Sequence, residues 1–241
     1  MSTFVLVHGG WHGGWCWRKV TPLLRAGGHE VYTPTLTGLG ERAHLANPSI
    51  DLAAHAKDVT ALLEYEDLRD VVLVGHSLGG AVISAAADVA AHRLRRLVYL
   101  DAFVPEVGQS VFDLLPVPRR ESFEQQARDH GQGWLVPLDW DTALDGWGIT
   151  DPADREWMRP RLSPQPLAVF KQARAGGADL SGLPSSYLHC LGNPTVATFQ
   201  PFADRAAADP ATWSLHQLDA WHEPMITAPD ELAKVLTGAA N

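Results

Sequence analysis

Short apolar runs of strand length alternate with longer helical patterns along most of this 241-residue chain. The first run, Thr3–His8, is rich in β-branched residues and ends at two glycines, as a buried parallel strand does. The other runs of this kind lie at Glu30–Thr33, Val71–Val74, Leu94–Leu100, Ser186–Cys190 and Thr212–Leu218. This alternation predicts an α/β fold with a doubly wound, mostly parallel sheet.

The helical patterns fall between these runs. In Asp51–Tyr65, the first residue is a suitable N-cap. The other expected helices lie at Trp17–Ala26, Leu78–Ala91, Phe199–Ala208 and Asp230–Ala239. Helices in these positions supply the crossover connections that parallel strands require.

A long stretch in the middle of the chain interrupts the alternation. It is rich in proline and contains four of the nine tryptophans, Trp134, Trp140, Trp147 and Trp157. An alternating α/β pattern does not produce such a stretch. We therefore predict a helical cap at residues 104–184, inserted into a single α/β core formed by residues 1–103 and 185–241.

Composition and charge narrow the range of partners. Lys and Arg number 19 against 28 Asp and Glu, a formal charge of −9, which opposes binding to nucleic acid or to an anionic membrane surface. The sequence has no apolar run of membrane-spanning length and no visible secretory signal. Two cysteines are too few for a disulfide framework. We expect a cytoplasmic protein whose partner is a small molecule.

The segment GHSLG at residues 75–79 fits the pattern G-x-S-x-G. A buried run leads straight into it and a small-residue helix follows. A sharp strand-to-helix turn of this kind projects the serine hydroxyl above the sheet edge, which predicts Ser77 as a nucleophile. A tight turn that uses glycine and serine only for its geometry is the alternative.

A serine hydroxyl needs a base to take its proton. Among eleven histidines, His222 has the best position, because it follows the last predicted strand, at the sheet edge where Ser77 is expected. His76 is expected to point away from the hydroxyl, although it is a candidate for lining the substrate pocket. Acyl transfer also needs donors for the oxyanion, and the backbone N–H groups of Gly10 and Leu78 are the candidates.

Four segments resemble a known family: FVLVHGGWHGGWCW at 4–17, GHSLGG at 75–80, LDAFVP at 100–105 and WHEPM at 221–225. They are similar to the α/β-hydrolase group that contains plant methylesterases and hydroxynitrile lyases, with bacterial esterase relatives. The resemblance covers nearly the whole chain and is weakest in the predicted cap. It implies the α/β-hydrolase fold, Ser/His/acid esterase chemistry with no cofactor, and often a homodimer. We predict no metal site.

The sequence departs from that group in two respects, the first of which concerns two positions. The hydroxynitrile lyases carry a threonine and a lysine where this chain has Gly9 and Glu223. A carboxylate at the second position would repel cyanide, which disfavours lyase activity of that kind.

The second departure concerns the acid of the triad. Relatives place an aspartate at the position of Asn193, and asparagine cannot stabilise an imidazolium by charge. We favour Asp101, at the end of a neighbouring strand, as the acid. The alternative is that Asn193 alone supports His222. Asp204 and Asp219 are lesser candidates for the same role.

These features predict a serine hydrolase that cleaves a carboxylic ester of a small, largely apolar or aromatic substrate through an acyl-enzyme. Aromatic residues in and near the expected cap favour such a substrate. The predicted pocket consists of Trp11, His76, Phe103 and Trp134. Two alternatives keep the fold: a cofactor-free lyase, cyclase or dehydratase of a secondary metabolite, and a small-molecule binding protein with residual esterase activity.

Overall fold

The computed structural model describes residues 1–180, 182–192 and 196–240. The strands in this part of the chain are β1 (Thr3–Val7), β2 (Glu30–Tyr32), β3 (Val71–His76), β4 (Leu94–Leu100), β5 (Leu135–Val136), β6 (Gln165–Pro166), β7 (Ser185–Cys190) and β8 (Trp213–Leu218). Six of them form one parallel sheet in the order β2-β1-β3-β4-β7-β8. The predicted doubly wound, mostly parallel sheet is confirmed.

The α-helices are α1 (Thr21–Ala26), α2 (Leu52–Tyr65), α3 (Gly79–Ala90), α4 (Val111–Leu114), α5 (Val117–His130), α6 (Trp140–Gly146), α7 (Pro152–Met158), α8 (Leu167–Lys171), α9 (Val196–Ala208), α10 (Pro224–Thr227) and α11 (Pro229–Ala239). Short 3₁₀ turns lie at Gly14–Lys19, Gly40–Leu45, Ala91–Arg93 and Arg159–Arg161. In the described residues, no helix combines the length and the apolar character that crossing a bilayer requires.

Both faces of the sheet are buried at its centre, which explains why Phe4–Val7 of β1 and Val71–Val74 of β3 are continuously apolar. Successive residues of β1 point to opposite faces. Val5 belongs to the hydrophobic cluster under α2 and α3, whereas Phe4 belongs to the cluster that contains Leu232 and Leu236 of α11. The sheet is therefore a rigid platform whose strand ends can hold side chains in fixed positions.

The segment predicted to interrupt the α/β alternation is inserted between two strands that are neighbours in the sheet. β4 pairs directly with β7, although Leu100 and Ser185 are far apart in the chain. Between them lie α4 to α8 and the antiparallel pair of β5 and β6. We call residues 104–184 the insertion. Its treatment as a separate unit with these bounds stays a prediction.

Candidate active site

Ser77 stands on a strained turn at the carboxyl end of β3. Its φ of 53° lies in the left-handed region, which residues with a side chain rarely adopt. Backbone bonds hold it there: Ser77 N–H donates to Leu100 O at 3.2 Å, and Ser77 O accepts from Phe103 N–H at 3.1 Å. A strained serine between a strand and a helix is the nucleophile-elbow geometry expected from the sequence.

Two glycines allow this turn to close. A Cβ on Gly75 would lie 2.5 Å from Gly79 O, and a Cβ on Gly79 would lie 2.6 Å from His8 O. Both obstacles are backbone atoms, which cannot move aside as a flexible side chain can. Any larger residue at either position would therefore push α3 away from the strand ends and displace Ser77.

His222 and Asp101 come together at the carboxyl edge of the sheet. The Nδ1 of His222 lies 2.7 Å from Asp101 Oδ2, and both side chains are buried. Burial lowers the pKa of His222, but the hydrogen bond and charge of Asp101, assisted by the charge of Glu223, outweigh it, so the pKa is raised above its ordinary value. With Nδ1 bonded to the carboxylate, Nε2 is the nitrogen available to a substrate or a hydroxyl.

Aromatic rings fix the orientation of the His222 ring. Phe199 stacks on it with ring centroids 5.0 Å apart and planes only 13° from parallel. On another side, the ring of His76 lies 4.7 Å away, and His76 Nε2 donates to His222 O at 2.8 Å. These contacts restrict the imidazole to a narrow range of positions, as an efficient proton carrier requires.

The two proposed oxyanion donors are available. In the described part of the chain, neither Gly10 N–H nor Leu78 N–H donates a hydrogen bond to another protein group. Leu78 immediately precedes α3, and its side chain would contact a Cβ on Gly10 at 3.3 Å. The first loop and the helix start therefore meet beside Ser77.

A cavity of about 580 Å³ opens onto these groups. Ser77, Leu78 and His222 form part of its wall. Most of the remaining wall is apolar or aromatic: Trp11, Phe103, Leu115, Phe123, Leu138, Trp147, Phe170 and Phe199. Polar groups also line it, namely Arg119, Ser122, Gln126, Asp139, Thr142 and Thr198. A cavity of this size and character suits a small, largely apolar ligand.

Two residues predicted to line the pocket do not belong to this wall. His76 is buried behind His222, where its Nε2 is bonded to a backbone carbonyl, and burial holds its pKa well below the ordinary value. Trp134 precedes the β5–β6 ribbon, where its backbone O accepts from Leu167 N–H at 2.8 Å, and it also lies outside the lining. The insertion presents Phe123, Trp147 and Phe170 to the cavity instead.

A second buried acid adjoins the site. Glu223 Oε1 lies 3.6 Å from His12 Nε2, and both side chains are almost completely buried. Burial raises the pKa of Glu223, and nearby His12 and His222 partly oppose that rise. His12 Nδ1 in turn donates to Gly10 O at 2.7 Å. Glu223, which follows the candidate base, is thus linked through His12 to the first loop, which carries the candidate oxyanion donor Gly10.

One group of potential metal ligands occurs in the described residues. His76, His222 and Glu223 bring one ligand atom each within 4.8 Å of one another. His76 Nε2 and His222 Nδ1 already make hydrogen bonds within the protein. Since this group coincides with the base and its neighbours, we assign no metal to it.

Comparison with known proteins agrees with the geometry. The sequence profile of the alpha/beta hydrolase family matches residues 4–235. The chain belongs to this family. Among curated relatives of this alpha/beta hydrolase, the carbendazim hydrolyzing esterase of Nocardioides sp. (strain SG-4G) is 40% identical over 98% of both chains. Methylesterase 3 of Arabidopsis thaliana is 32% identical, covering 98% of this chain and 95% of its own.

A solved structure extends the similarity. The extracellular alpha/beta-hydrolase from a Paenibacillus species, described as sharing structural and functional homology with tobacco salicylic acid binding protein 2, superposes with a TM-score of 0.85. It is 28% identical and the match covers 99% of each chain. Together with the full-length esterase relatives, this match confirms the predicted family, fold and ester-hydrolysing activity of the alpha/beta hydrolase.

Some contacts of the site in this alpha/beta hydrolase were not predicted from the sequence. Asn193 lies outside the described residues. Of the lesser acid candidates, Asp204 accepts from Gln200 Nε2 on α9 at 2.7 Å. The stacking of Phe199 on His222 and the contact between His12 and Glu223 had no sequence signal beyond proximity to the motifs, because both depend on how distant loops pack.

Proposed function

We propose that the protein is a serine esterase in which Ser77 is the nucleophile, His222 the general base and Asp101 the acid. The observation that carries the proposal is the 2.7 Å contact between Asp101 and His222 at the wall of the cavity that Ser77 also lines. A carboxylate in that position holds the imidazole in the tautomer with Nε2 free and stabilises the imidazolium that forms.

The reaction proceeds in two steps. Ser77 Oγ forms a bond to the substrate carbonyl carbon while its proton moves to His222 Nε2. The bond to the leaving alkoxide then breaks, and His222 returns the proton so that the product leaves as an alcohol. Water attacks the acyl-enzyme by the same route and releases the carboxylic acid and free Ser77.

The negative charge on the carbonyl oxygen needs donors that are already in place. The N–H groups of Gly10 and Leu78 are proposed for this role, since neither is occupied by another protein group in the described residues. Leu78 lies where α3 starts, so the positive end of the helix dipole adds to the stabilisation.

The cavity favours esters with a flat aromatic part. Trp11, Phe123 and Phe170 form a cluster with ring centroids 5.0 to 5.6 Å apart, against which a planar ring can stack. Polar residues on the wall can bind ring nitrogens or hydroxyls. With the similarity to a carbendazim hydrolyzing esterase and to Methylesterase 3, this supports methyl esters of aromatic groups as substrates.

A lyase of the hydroxynitrile type fits this site less well. A Cβ at Gly9 would lie 2.8 Å from His76 Nδ1 and 3.0 Å from Ser77 Cβ, which leaves little room for a threonine. Glu223 is a buried carboxyl where those lyases have a lysine. A cytoplasmic location and a homodimer remain proposals from the sequence.

Labelling with a fluorophosphonate, which forms a covalent bond to an activated serine, tests the proposal. We expect one label per chain, on Ser77, and loss of both labelling and p-nitrophenyl ester turnover in Ser77→Ala. The exposed Ser49→Ala variant is the control and should behave as wild type. A Ser77→Ala variant that keeps wild-type turnover would exclude nucleophilic catalysis by this residue.

A further inference from the structure

Trp11 follows the proposed oxyanion donor Gly10 and has an unusual backbone. Its φ of 65° lies in the left-handed region, and its side chain is buried. A bulky residue persists in that region only when its surroundings impose it. Some part of the structure must therefore hold Trp11 in place.

The insertion supplies that constraint through three hydrogen bonds. Trp11 N–H donates to Gln165 Oε1 at 3.1 Å, and Trp11 Nε1 donates to Val136 O at 2.8 Å. The third bond joins Ser163 N–H to Trp11 O at 3.0 Å. The N–H, O and Nε1 groups of Trp11 thus all make hydrogen bonds to the insertion. Only the Gln165 bond depends on the identity of a side chain in the insertion.

The Gln165 side chain makes its hydrogen bond to Trp11 from a buried position. It is completely buried, and within the described residues its Nε2 has no hydrogen-bond partner. Burying an amide with an unpartnered nitrogen is unfavourable. The hydrogen bond that Oε1 accepts from Trp11 N–H is therefore the polar contact of the Gln165 side chain in the described residues.

The peptide group between Gly10 and Trp11 is held at both ends. His12 Nδ1 donates to its carbonyl oxygen at 2.7 Å, while Gln165 accepts from its N–H. The preceding peptide carries the Gly10 N–H group. Fixing one peptide plane restricts the backbone rotations of Gly10, on which the direction of that N–H group depends.

We propose that Gln165 is a positioning residue for the oxyanion site. It takes the Trp11 N–H away from the cavity and holds the first loop so that Gly10 N–H points at the developing oxyanion. The inference rests on the proposed function, in which that N–H stabilises the transition state. Through Gln165, the insertion contributes to catalysis as well as to substrate binding.

The experiment compares Gln165→Met, which removes the acceptor but keeps the length, with Gln165→Glu, which keeps an oxygen at the same place. Ser163→Ala is the matched control, because it removes only the side-chain bond that joins the same segment to the core, in which Ser163 Oγ accepts from Gly40 N–H at 2.9 Å. The backbone N–H of Ser163, which donates to Trp11 O, is kept in this variant. Turnover of a p-nitrophenyl ester, inhibition by phenylboronic acid and thermal unfolding are measured for each variant. Phenylboronic acid mimics the tetrahedral intermediate when Ser77 adds to boron.

For Gln165→Met we expect kcat to fall by about 10- to 100-fold, less than the roughly 10²- to 10³-fold loss when an oxyanion donor is removed outright. The inhibition constant of the boronic acid should rise by a similar factor, whereas KM should change by less than about threefold. Gln165→Glu should retain most of the activity. Ser163→Ala should lower the unfolding temperature without the loss of kcat.

Wild-type kcat in Gln165→Met would overturn the proposal. Equal losses of kcat in Gln165→Met and Ser163→Ala would overturn it too, since Gln165 would then only fasten the insertion. Neither outcome bears on the proposed function, which fails only if Ser77→Ala keeps its turnover.

Discussion

Asp101 contacts His222 across the end of an intervening strand. Asp101 follows β4 and His222 follows β8, and β7 lies between those two strands in the sheet. The Asp101 carboxylate crosses this gap: Oδ1 accepts from Cys190 N–H at the end of β7 at 3.3 Å, and Oδ2 lies 2.7 Å from His222 Nδ1. A φ of 42° at Asp101 turns the chain so that its side chain can make both contacts.

Replacing this carboxylate should nearly abolish catalysis. We expect Asp101→Asn to lower kcat by about 10⁴-fold, because an amide stabilises the wrong tautomer of His222 and no imidazolium. Steady-state kinetics on a p-nitrophenyl ester measures the loss.

Asn193→Ala is the comparison that distinguishes the two candidates for the acid. If Asp101 is the acid, this variant should keep its kcat within about tenfold of wild type, far from the roughly 10⁴-fold loss of a triad member. The reverse ranking of the two variants would assign the role to Asn193.

The sequence predicts the sheet better than it predicts the helices beside it. β4 has the bounds that were expected, and β3 extends two residues further, to His76, because Gly75 and His76 still pair with β4. The helix expected at Trp17–Ala26 is divided into a 3₁₀ turn and α1, which begins at Thr21 and has Pro22 in its first turn, where a missing N–H is tolerated. α10 is a single short turn that Pro224 could have indicated.

The pH dependence of catalysis should reflect the raised pKa of His222. The base must be neutral to take the Ser77 proton, so the acidic limb of kcat/KM should have its midpoint above the ordinary histidine value of about 6.5. Glu223→Gln removes one of the charges that raise this pKa, and the midpoint should move to lower pH. Rates between pH 5 and 9 (about the range a histidine titration covers) provide the measurement.

The exposed Glu231→Gln variant, on α11, is the control for that shift and should leave the midpoint in place. A midpoint that moves to higher pH in Glu223→Gln, or does not move at all, would show that Glu223 does not act on His222 by its charge.

Contacts that join distant parts of the chain set the limit of what the sequence can predict. Ser77 and His222 could be chosen because each follows a strand, and strand ends in a parallel sheet share one edge. Gln165 gave no such signal, because it lies in a two-residue strand of the insertion, 154 residues from its partner Trp11. The site's supporting contacts depend on how the insertion packs, and no periodic pattern encodes that packing.

Acid should destabilise the protein through buried neutral histidines. Burial lowers the pKa of His8 to about 3, although the hydrogen bond from Nδ1 to Gly9 O partly opposes this shift. In the neutral ring, Nε2 accepts from Leu36 N–H. In the unfolded chain, His8 has its ordinary pKa of about 6.5, so below that pH it binds a proton that the folded chain does not bind. The free energy of unfolding therefore falls as the pH decreases from 6.5 toward 3.

His8→Gln removes this titration and keeps an acceptor for Leu36 N–H. Its unfolding free energy should depend less steeply on pH in that window, by up to about 1.4 kcal/mol per pH unit. Urea unfolding at several pH values measures the slope. The exposed His130→Gln variant should keep the wild-type slope, and an unchanged slope in His8→Gln would contradict the assignment.

The last prediction concerns the space that the turn at Ser77 requires. In Gly75→Ala the new Cβ would meet the backbone O of Gly79 at 2.5 Å, so α3 must shift and Ser77 with it. We expect a loss of stability of about 1–3 kcal/mol, as in other overpacked interiors, and much slower fluorophosphonate labelling of Ser77.

Gly238→Ala is the matched control, because Gly238 lies in α11 and a Cβ there meets nothing within 4 Å. Alanine is favoured over glycine in a helix, so this variant should gain up to about 0.5–1 kcal/mol and label at the wild-type rate. Equal labelling rates in Gly75→Ala and Gly238→Ala would contradict this prediction. The position of the Ser77 hydroxyl would then not depend on the close approach of β3 and α3, and the strained turn would not be what presents the hydroxyl to the substrate.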